Sequence, residues 1–335
     1  MDFDQEKLAR YLEQHIDGFS GPLKAEKFPG GQSNPTYKVS AQSGRYVLRC
    51  KPPGELVKSA HAVDREYRVI SALADSRVPV AGTYHLCADD SVMGSMFYVM
   101  EYIDGQVYWD PALSELPSAE RGIIYSEMNR VLAALHSVDV DAVGLTDFGR
   151  PGNYYQRQLD RWDRQYQASA TEDIPEMATL QHWLAQNMPA DDGRITLVHG
   201  DFRLDNMMFH HQQPKVLALV DWELSTLGHP FADLAYQCMQ LRMGNNPVMP
   251  SLAAIDREAL GIPSEKAYVA EYCQRMGIAN IDNWPFYLAF SFYRLAAILQ
   301  GVKKRGIEGN ASSEKALQMG ELVIPLAKQA VEELL

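Results

Sequence analysis

The chain has 335 residues, of which 46% are hydrophobic and 22% charged, enough apolar material for a sizeable core and unlike a disordered chain. Its 43 Asp and Glu against 31 Lys and Arg leave a net charge of −12, which argues against a nucleic-acid partner or an anionic membrane surface, so any bound phosphate needs local cations. Four cysteines, Cys50, Cys87, Cys238 and Cys273, form no C-x-x-C pair; they fit neither a zinc ribbon nor a disulfide scaffold, and a reduced, cytoplasmic setting is expected.

Residues 1–16 are acidic and helical in period, with Leu8, Tyr11, Leu12 and His15 on one face, and lack the basic and apolar regions of a signal peptide. Phe28 leads into GGQSN, after which TYKVSA and RYVLRC read as strands joined by a Gln42-Ser43-Gly44 turn. In that loop, Gly30, Gly31, Gln32 and Ser33, the glycines would let backbone amides approach a phosphate, although the full G-x-G-x-x-G string is absent and a hairpin turn uses glycine as readily. The second strand ends on two cations, Arg49 and Lys51, which share a face, so alternation does not choose between them. A helix capped by Ser59 is predicted to about Ala74, with Val63, Tyr67, Ile70 and Leu73 as its apolar stripe. Glu66 lies on that stripe and requires a cationic partner. Strands follow near 83–88 and 96–102, and Glu101, Tyr102 and Ile103 suit, by their order in the chain, a hinge whose backbone meets adenine.

A domain boundary is placed near Gly105, separating a β-rich N-lobe (1–104) from a mainly helical C-lobe (105–335). A helix from Ser118 carries Ile124, Met128, Val131 and Leu135 on one face. Asp147-Phe148-Gly149 spells a kinase metal-binding triplet, yet it precedes the catalytic loop and reads as a helix-to-loop turn. Apolar runs at 195–198 and 216–220 flank a polar loop in which Asp201 and Asn206 have the Asp-x-x-x-x-Asn spacing of a kinase catalytic loop, and Asp221 ends the second run. In that chemistry the first Asp receives the acceptor's proton, and the Asn and second Asp hold magnesium. Two plainer readings compete: His199, Asp201, His210 and His211 as zinc ligands, and Asp201 with Asp205 as turn caps. Adjacent His210 and His211 would point to opposite faces of a strand, which disfavours the zinc set. Further helices are predicted at 265–276 and 284–302, and the apolar run 286–299 is too short to span a bilayer. Arg294 interrupts that run and is either paired or lining a substrate pocket.

His199-Gly200-Asp201 through Asn206, then Asp221-Trp222-Glu223, then Gly228-His229-Pro230 through Asp233 resemble the aminoglycoside phosphotransferase and choline kinase type of small-molecule kinase. The nearest variety is the kinase-like module found alone or fused to acyl-CoA dehydrogenases, with which the chain shares GGQSNPTYKV, KPPG and HAVDREYRVI. The resemblance implies an α+β, protein-kinase-like two-lobed fold, with ATP and magnesium as cofactors and a small-molecule hydroxyl as acceptor. It favours Arg49 over Lys51 as the phosphate cation braced by Glu66, and makes Asp233 a buried brace for the catalytic loop. Arg203 would reach the transferring phosphate, against the commoner reading of a surface arginine, and Glu223 would assist the metal indirectly or be a strand-end charge. Residues 233–335 hold 11 acids against 10 bases, no anionic trough for a polycation. Together with the dehydrogenase-fused relatives this directs expectation to a hydroxyacyl compound or its coenzyme A thioester, ahead of an aminoglycoside, choline, a non-catalytic nucleotide-binding role or phosphate hydrolysis.

Overall fold

The computed structural model describes residues 3–28, 34–52, 62–244, 246–253, 255–309 and 315–335. Gly30, Gly31, Gln32 and Ser33, and the Ser59 cap, lie outside the described residues. The chain forms two compact units, Met1–Gln106 with Met208–His211 and Leu217–Leu224, and Val107–Met207 with Gln212–Val216 and Ser225–Leu335. Two short later segments therefore belong to the first unit, and Asp221 is in one of them. The fold class is α+β, as expected.

The first unit begins with α1 (Gln5–His15), whose N-terminal amides at Glu6 and Lys7 donate to Asp4 Oδ1 at 3.0 Å, a side-chain cap. Strands β1 (Leu23–Lys27), β2 (Thr36–Ala41), β3 (Gly44–Cys50), β4 (Thr83–Cys87) and β5 (Phe97–Glu101) form one antiparallel sheet in the order β1-β2-β3-β5-β4. The β2–β3 hairpin turns at Gln42-Ser43 with Ala41 opposite Gly44. Leu8, Leu12, Val39, Leu48, Phe97 and Val99 are fully buried together, each contributing about 1.5–3 kcal/mol by leaving water. Helix α2 (Val63–Ala72) buries Val63, Glu66, Val69 and Ile70. Its charged member thus lies on the apolar stripe.

The second unit is mainly helical: α3 (Ser118–His136), α4 (Tyr154–Ser169), α5 (Pro175–Gln186), α6 (Phe231–Arg242), α7 (Glu265–Met276), α8 (Trp284–Ile307), α9 (Ala316–Gly320) and α10 (Val323–Leu334). Helix α8 is apolar nearly all round and packs against α4, α5, α6, α9 and α10, as a helix at the centre of a core should. It runs five residues beyond the predicted end at Val302. The two apolar runs around the polar loop are not each other's partners. β6 (Thr196–Val198) pairs with β9 (Thr226–Gly228), while β7 (Met207–Phe209) pairs with β8 (Val216–Leu219). Among the described residues no helix is long and apolar enough to cross a membrane, and all four cysteines are free and buried.

Candidate active site

In the first unit the focus is Arg49, near the end of β3. Its Nε lies 2.8 Å from Glu66 Oε2, an ion pair by distance although the N–H is not aimed along that line, and Nη2 donates to Asp221 Oδ1 at 2.9 Å. Glu223 Oε2 is 3.9 Å away, so three carboxylates surround one guanidinium. Glu66 has only 2% of its side chain exposed; burial pushes its carboxyl up and Arg49 opposes that. Asn34 Nδ2 donates to Glu66 Oε1 at 2.7 Å and the Tyr98 hydroxyl to Oε2 at 3.3 Å. Burial alone would disfavour charge on Arg49, but Glu66, Tyr98, Asp221 and Glu223 more than offset it and hold it cationic. Lys51 follows the strand, and its backbone amide donates to the Met96 carbonyl.

Asp221 has φ +67°, a left-handed conformation that Asp tolerates better than most residues but at a cost of about 1–3 kcal/mol, sustained only where surroundings over-determine it. Trp222, fully buried, anchors the following turn by donating Nε1 to the Leu219 carbonyl at 2.9 Å. At the end of β5, the Glu101 amide donates to Gly82 O at 2.7 Å and the Gly82 amide to Glu101 Oε2 at 3.1 Å. Tyr102 and Ile103 follow, with the Arg45 guanidinium 4.4 Å from the Tyr102 ring centroid. Gly105 has no room for a side chain, since a Cβ there would be 2.8 Å from the Phe209 carbonyl.

In the second unit the polar loop is built around Asp201. Asn206 Nδ2 donates to the Asp201 backbone carbonyl at 2.8 Å and to its Oδ2 at 2.9 Å, so the five-residue spacing closes on itself through one turn of 3-10 helix, Leu204–Asn206. The loop is held from behind by Asp233, fully buried in the first turn of α6: its Oδ2 accepts from the His199 amide at 2.7 Å, and its Oδ1 from the Gly200 amide at 2.8 Å. His136 Nε2 lies 3.4 Å from the same Oδ2, and its Nδ1 is 2.7 Å from the Tyr272 hydroxyl. Burial opposes the charge on Asp233, yet His136, His199 and the Gly200 amide together hold its carboxyl below the usual range. Arg203 is engaged with both oxygens of Asp205, its Nε at 2.8 Å from Oδ1. Burial works against its charge, but Asp201 and Asp205 prevail.

Arg294 is 7% exposed. It donates to the Gly200 carbonyl, and its guanidinium carbon is 4.9 Å from the Tyr236 ring centroid and 5.5 Å from that of Trp162. The Tyr236 hydroxyl hydrogen-bonds Asp201, and burial and that carboxylate push its phenol up. Among the described residues no group of three His, Cys, Asp or Glu is arranged to hold a metal. Asn34, Tyr98, His136, Tyr236 and Trp162 have no local motif that marks them; only His136, a polar residue closing an apolar helix, stands out.

The second unit's β6–β9 pairing explains Gly228. A Cβ there would come within 2.5 Å of the Tyr154 ring, so glycine leaves the room that the ring occupies beside β9. Asp147-Phe148-Gly149 lies in turns after α3, and a Cβ on Gly149 would be 2.6 Å from Thr226 Oγ1.

The mouse acyl-CoA dehydrogenase family member 10 is 47% identical over 332 residues, covering 98% of this chain and 31% of that protein; the chain spans between 31% and 43% of the length of the curated relatives it matches. A solved structure from Ralstonia eutropha JMP134, assigned provisionally to the aminoglycoside phosphotransferases, is 49% identical, with a TM-score of 0.91 over 99% of this chain and 98% of the other. A spectinomycin phosphotransferase solved with ADP and spectinomycin has a TM-score of 0.63 over 99% of this chain and all of its own at 12% identity, a likeness of fold alone. The phosphotransferase enzyme family model matches residues 24–271, and the chain belongs to that family.

Proposed function

We propose that the chain transfers the γ-phosphoryl group of ATP to a hydroxyl of a small metabolite, a hydroxyacyl compound or its coenzyme A thioester. The observation that carries this reading is the closed Asp201–Asn206 loop with its two preceding amides held by buried Asp233. A carboxylate fixed in that way is preorganised to orient a hydroxyl and accept its proton as the oxygen attacks phosphorus, forming an O–P bond while the bond from the γ-phosphorus to ADP breaks. The mouse relative's name places a related module in a chain with acyl-CoA chemistry, which favours an acyl acceptor. Aminoglycosides and choline rank behind it, as does a nucleotide-binding regulator without turnover.

The donor set suits magnesium. Asp221 has a carboxylate with 37% of its side chain exposed, and Asn206 uses its amide nitrogen on Asp201, which turns its oxygen elsewhere. Both are hard oxygen donors of the kind magnesium takes. When bound, the ion would neutralise phosphate charge. Arg49, steadied by Glu66, binds the nucleotide phosphates in this reading, assisted by the loop of Gly30, Gly31, Gln32 and Ser33, and Glu101, Tyr102 and Ile103 meet adenine. Arg203 would reach a phosphate only by releasing Asp205. Glu223 adds to the negative charge that draws the metal.

The test is a side-by-side assay of hydroxyacyl compounds, their coenzyme A thioesters, an aminoglycoside panel and choline at equal magnesium ATP, with mass detection of product. A product heavier by one phosphoryl group from the acyl acceptors is expected. Efficient phosphorylation confined to the cationic acceptors overturns the assignment.

A further inference from the structure

Beside the catalytic loop of the second unit there is a group of cations that the phosphoryl-transfer chemistry does not use. Arg294, on α8, is more than nine-tenths buried, and its contacts are the Gly200 carbonyl and the faces of Trp162 and Tyr236. Arg161, on α4, lies 5.1 Å from the centroid of the same Trp162 ring. Neither has a carboxylate within ion-pair distance among the described residues. The Tyr154 hydroxyl, one turn before Arg157 and two before Arg161, has no hydrogen-bond partner among the described residues, and it feels the positive charges of Arg294, Arg161 and Arg157 together with the negative charge of Asp233. Burial and the proximity of Arg294 both work against the charge on Arg161.

A buried guanidinium without a counter-ion is expensive. Two aromatic faces offset part of that, but holding one backbone carbonyl uses one of five N–H donors. A neutral amide would brace Gly200 at lower desolvation cost. Asp201 is hydrogen-bonded by Tyr236, Asp205 is engaged with Arg203, and Asp233 is taken up by the His199 and Gly200 amides. Arg203 is thus matched by Asp205, whereas Arg161 and Arg294 share the Trp162 ring with no carboxylate at ion-pair distance among the described residues. A bridging anion would relieve the repulsion between Arg161 and Arg294 and give the Tyr154 hydroxyl an acceptor.

We infer that Arg161, Arg294 and the Tyr154 hydroxyl form an acceptor-recognition subsite for a compact anion, a carboxylate or phosphate carried on the same molecule as the reacting hydroxyl. This rests on the phosphotransferase reading above. It adds a selection rule: the anion anchors one end of the acceptor against α4 and α8, and the hydroxyl is delivered to Asp201. A polycationic acceptor is repelled by the same pair.

The experiment uses the full chain, with β-hydroxyoctanoate, its methyl ester, the corresponding diol and its coenzyme A thioester as probes. Binding is measured by calorimetry and transfer by product mass, for the wild type, Arg161→Gln and Arg161→Lys. Arg161 is the more exposed of the two arginines, so its substitution should leave the fold intact, and Arg294→Lys serves as a second variant that retains charge but not the planar fork. Loss of a charge-assisted contact should weaken the anionic probe about ten- to a hundredfold, raising KM with kcat little changed, and Arg161→Lys should restore part of it. The methyl ester and diol should be poor ligands of the wild type and insensitive to Arg161→Gln. Preference for the free acid identifies a carboxylate subsite; preference for the thioester identifies a phosphate subsite. Anion binding that depends on Arg161, without transfer to any probe, sustains the subsite and removes the kinase reading for these acceptors. Transfer to the diol as efficient as to the acid, unaffected by Arg161→Gln, overturns the subsite and leaves the kinase reading standing.

Discussion

Replacing Asp233 with Asn tests the brace behind the catalytic loop. The carboxylate accepts the His199 and Gly200 amides at 2.7 and 2.8 Å, one on each oxygen, inside a fully buried pocket. Hydrogen bonds to a charged acceptor contribute about 1.5–3 kcal/mol each. Asparagine retains one carbonyl oxygen and turns an NH2 group toward the other amide, so one bond is lost and one buried donor faces a donor, a cost of about 2–4 kcal/mol. The effect is local, and hydrogen exchange at the His199 and Gly200 amides reads it directly. Exchange should accelerate by roughly thirty- to seven-hundredfold at one or both, accompanied by reduced turnover, because Asp201 is the next residue. Unchanged protection at both amides, with full turnover, would refute the claim that Asp233 positions the loop.

Because the folded-state carboxyl of Asp233 is held below its ordinary value of 3.8, its contribution to stability is complete above that pH and lost as pH falls through the depressed value. In acid titration the stability gap between wild type and Asp233→Asn should therefore narrow below pH 3.8, and a widening gap would contradict the sign. Arg49→Ala should raise the ATP concentration needed for half-maximal rate more than Lys51→Ala does, since Arg49 is the cation paired with Glu66 and Asp221; the reverse order would move the phosphate contact to Lys51. Gly228→Ala would drive a Cβ to 2.5 Å from the Tyr154 ring, and overpacking of that kind costs about 1–3 kcal/mol. Its melting temperature should fall by several degrees, and an unchanged value would mean that the ring shifts freely.

Much of this site was legible because its chemistry lies in short, ordered spacings. Asp201, Asn206 and Asp221 are separated by a fixed number of residues, and the loop geometry at Asp201 and Asn206 follows from that separation. Glu66 was visible as a charge on an apolar stripe, and its burial among Arg49, Asn34 and Tyr98 supplies the partner that its position required. Strand pairing was less legible. β7 and β9 have three residues each, too short for alternation to register, so the strands that pair with the apolar runs at 216–220 and 195–198 are not visible in the sequence. β1 escaped because its sequence LKAEK is mostly polar and its burial alternates weakly. The residues around Arg294 were not legible. Trp162, Tyr236 and Tyr154 converge from α4 and α6 only once α8 is packed, and nothing in the local sequence of each announces the others.

Acceptor-dependent phosphoryl transfer through Asp201 is measured by following ATP consumption and product mass in paired reactions of the wild type and Asp201→Asn, with and without a hydroxyacyl acceptor. Wild-type consumption should depend on the acceptor and yield its phosphate ester. The variant should bind ATP normally while turnover falls by roughly a hundred- to ten-thousandfold, the usual cost of removing a general base. Near-normal transfer by Asp201→Asn, or ATP consumption by the wild type that ignores the acceptor, would contradict it.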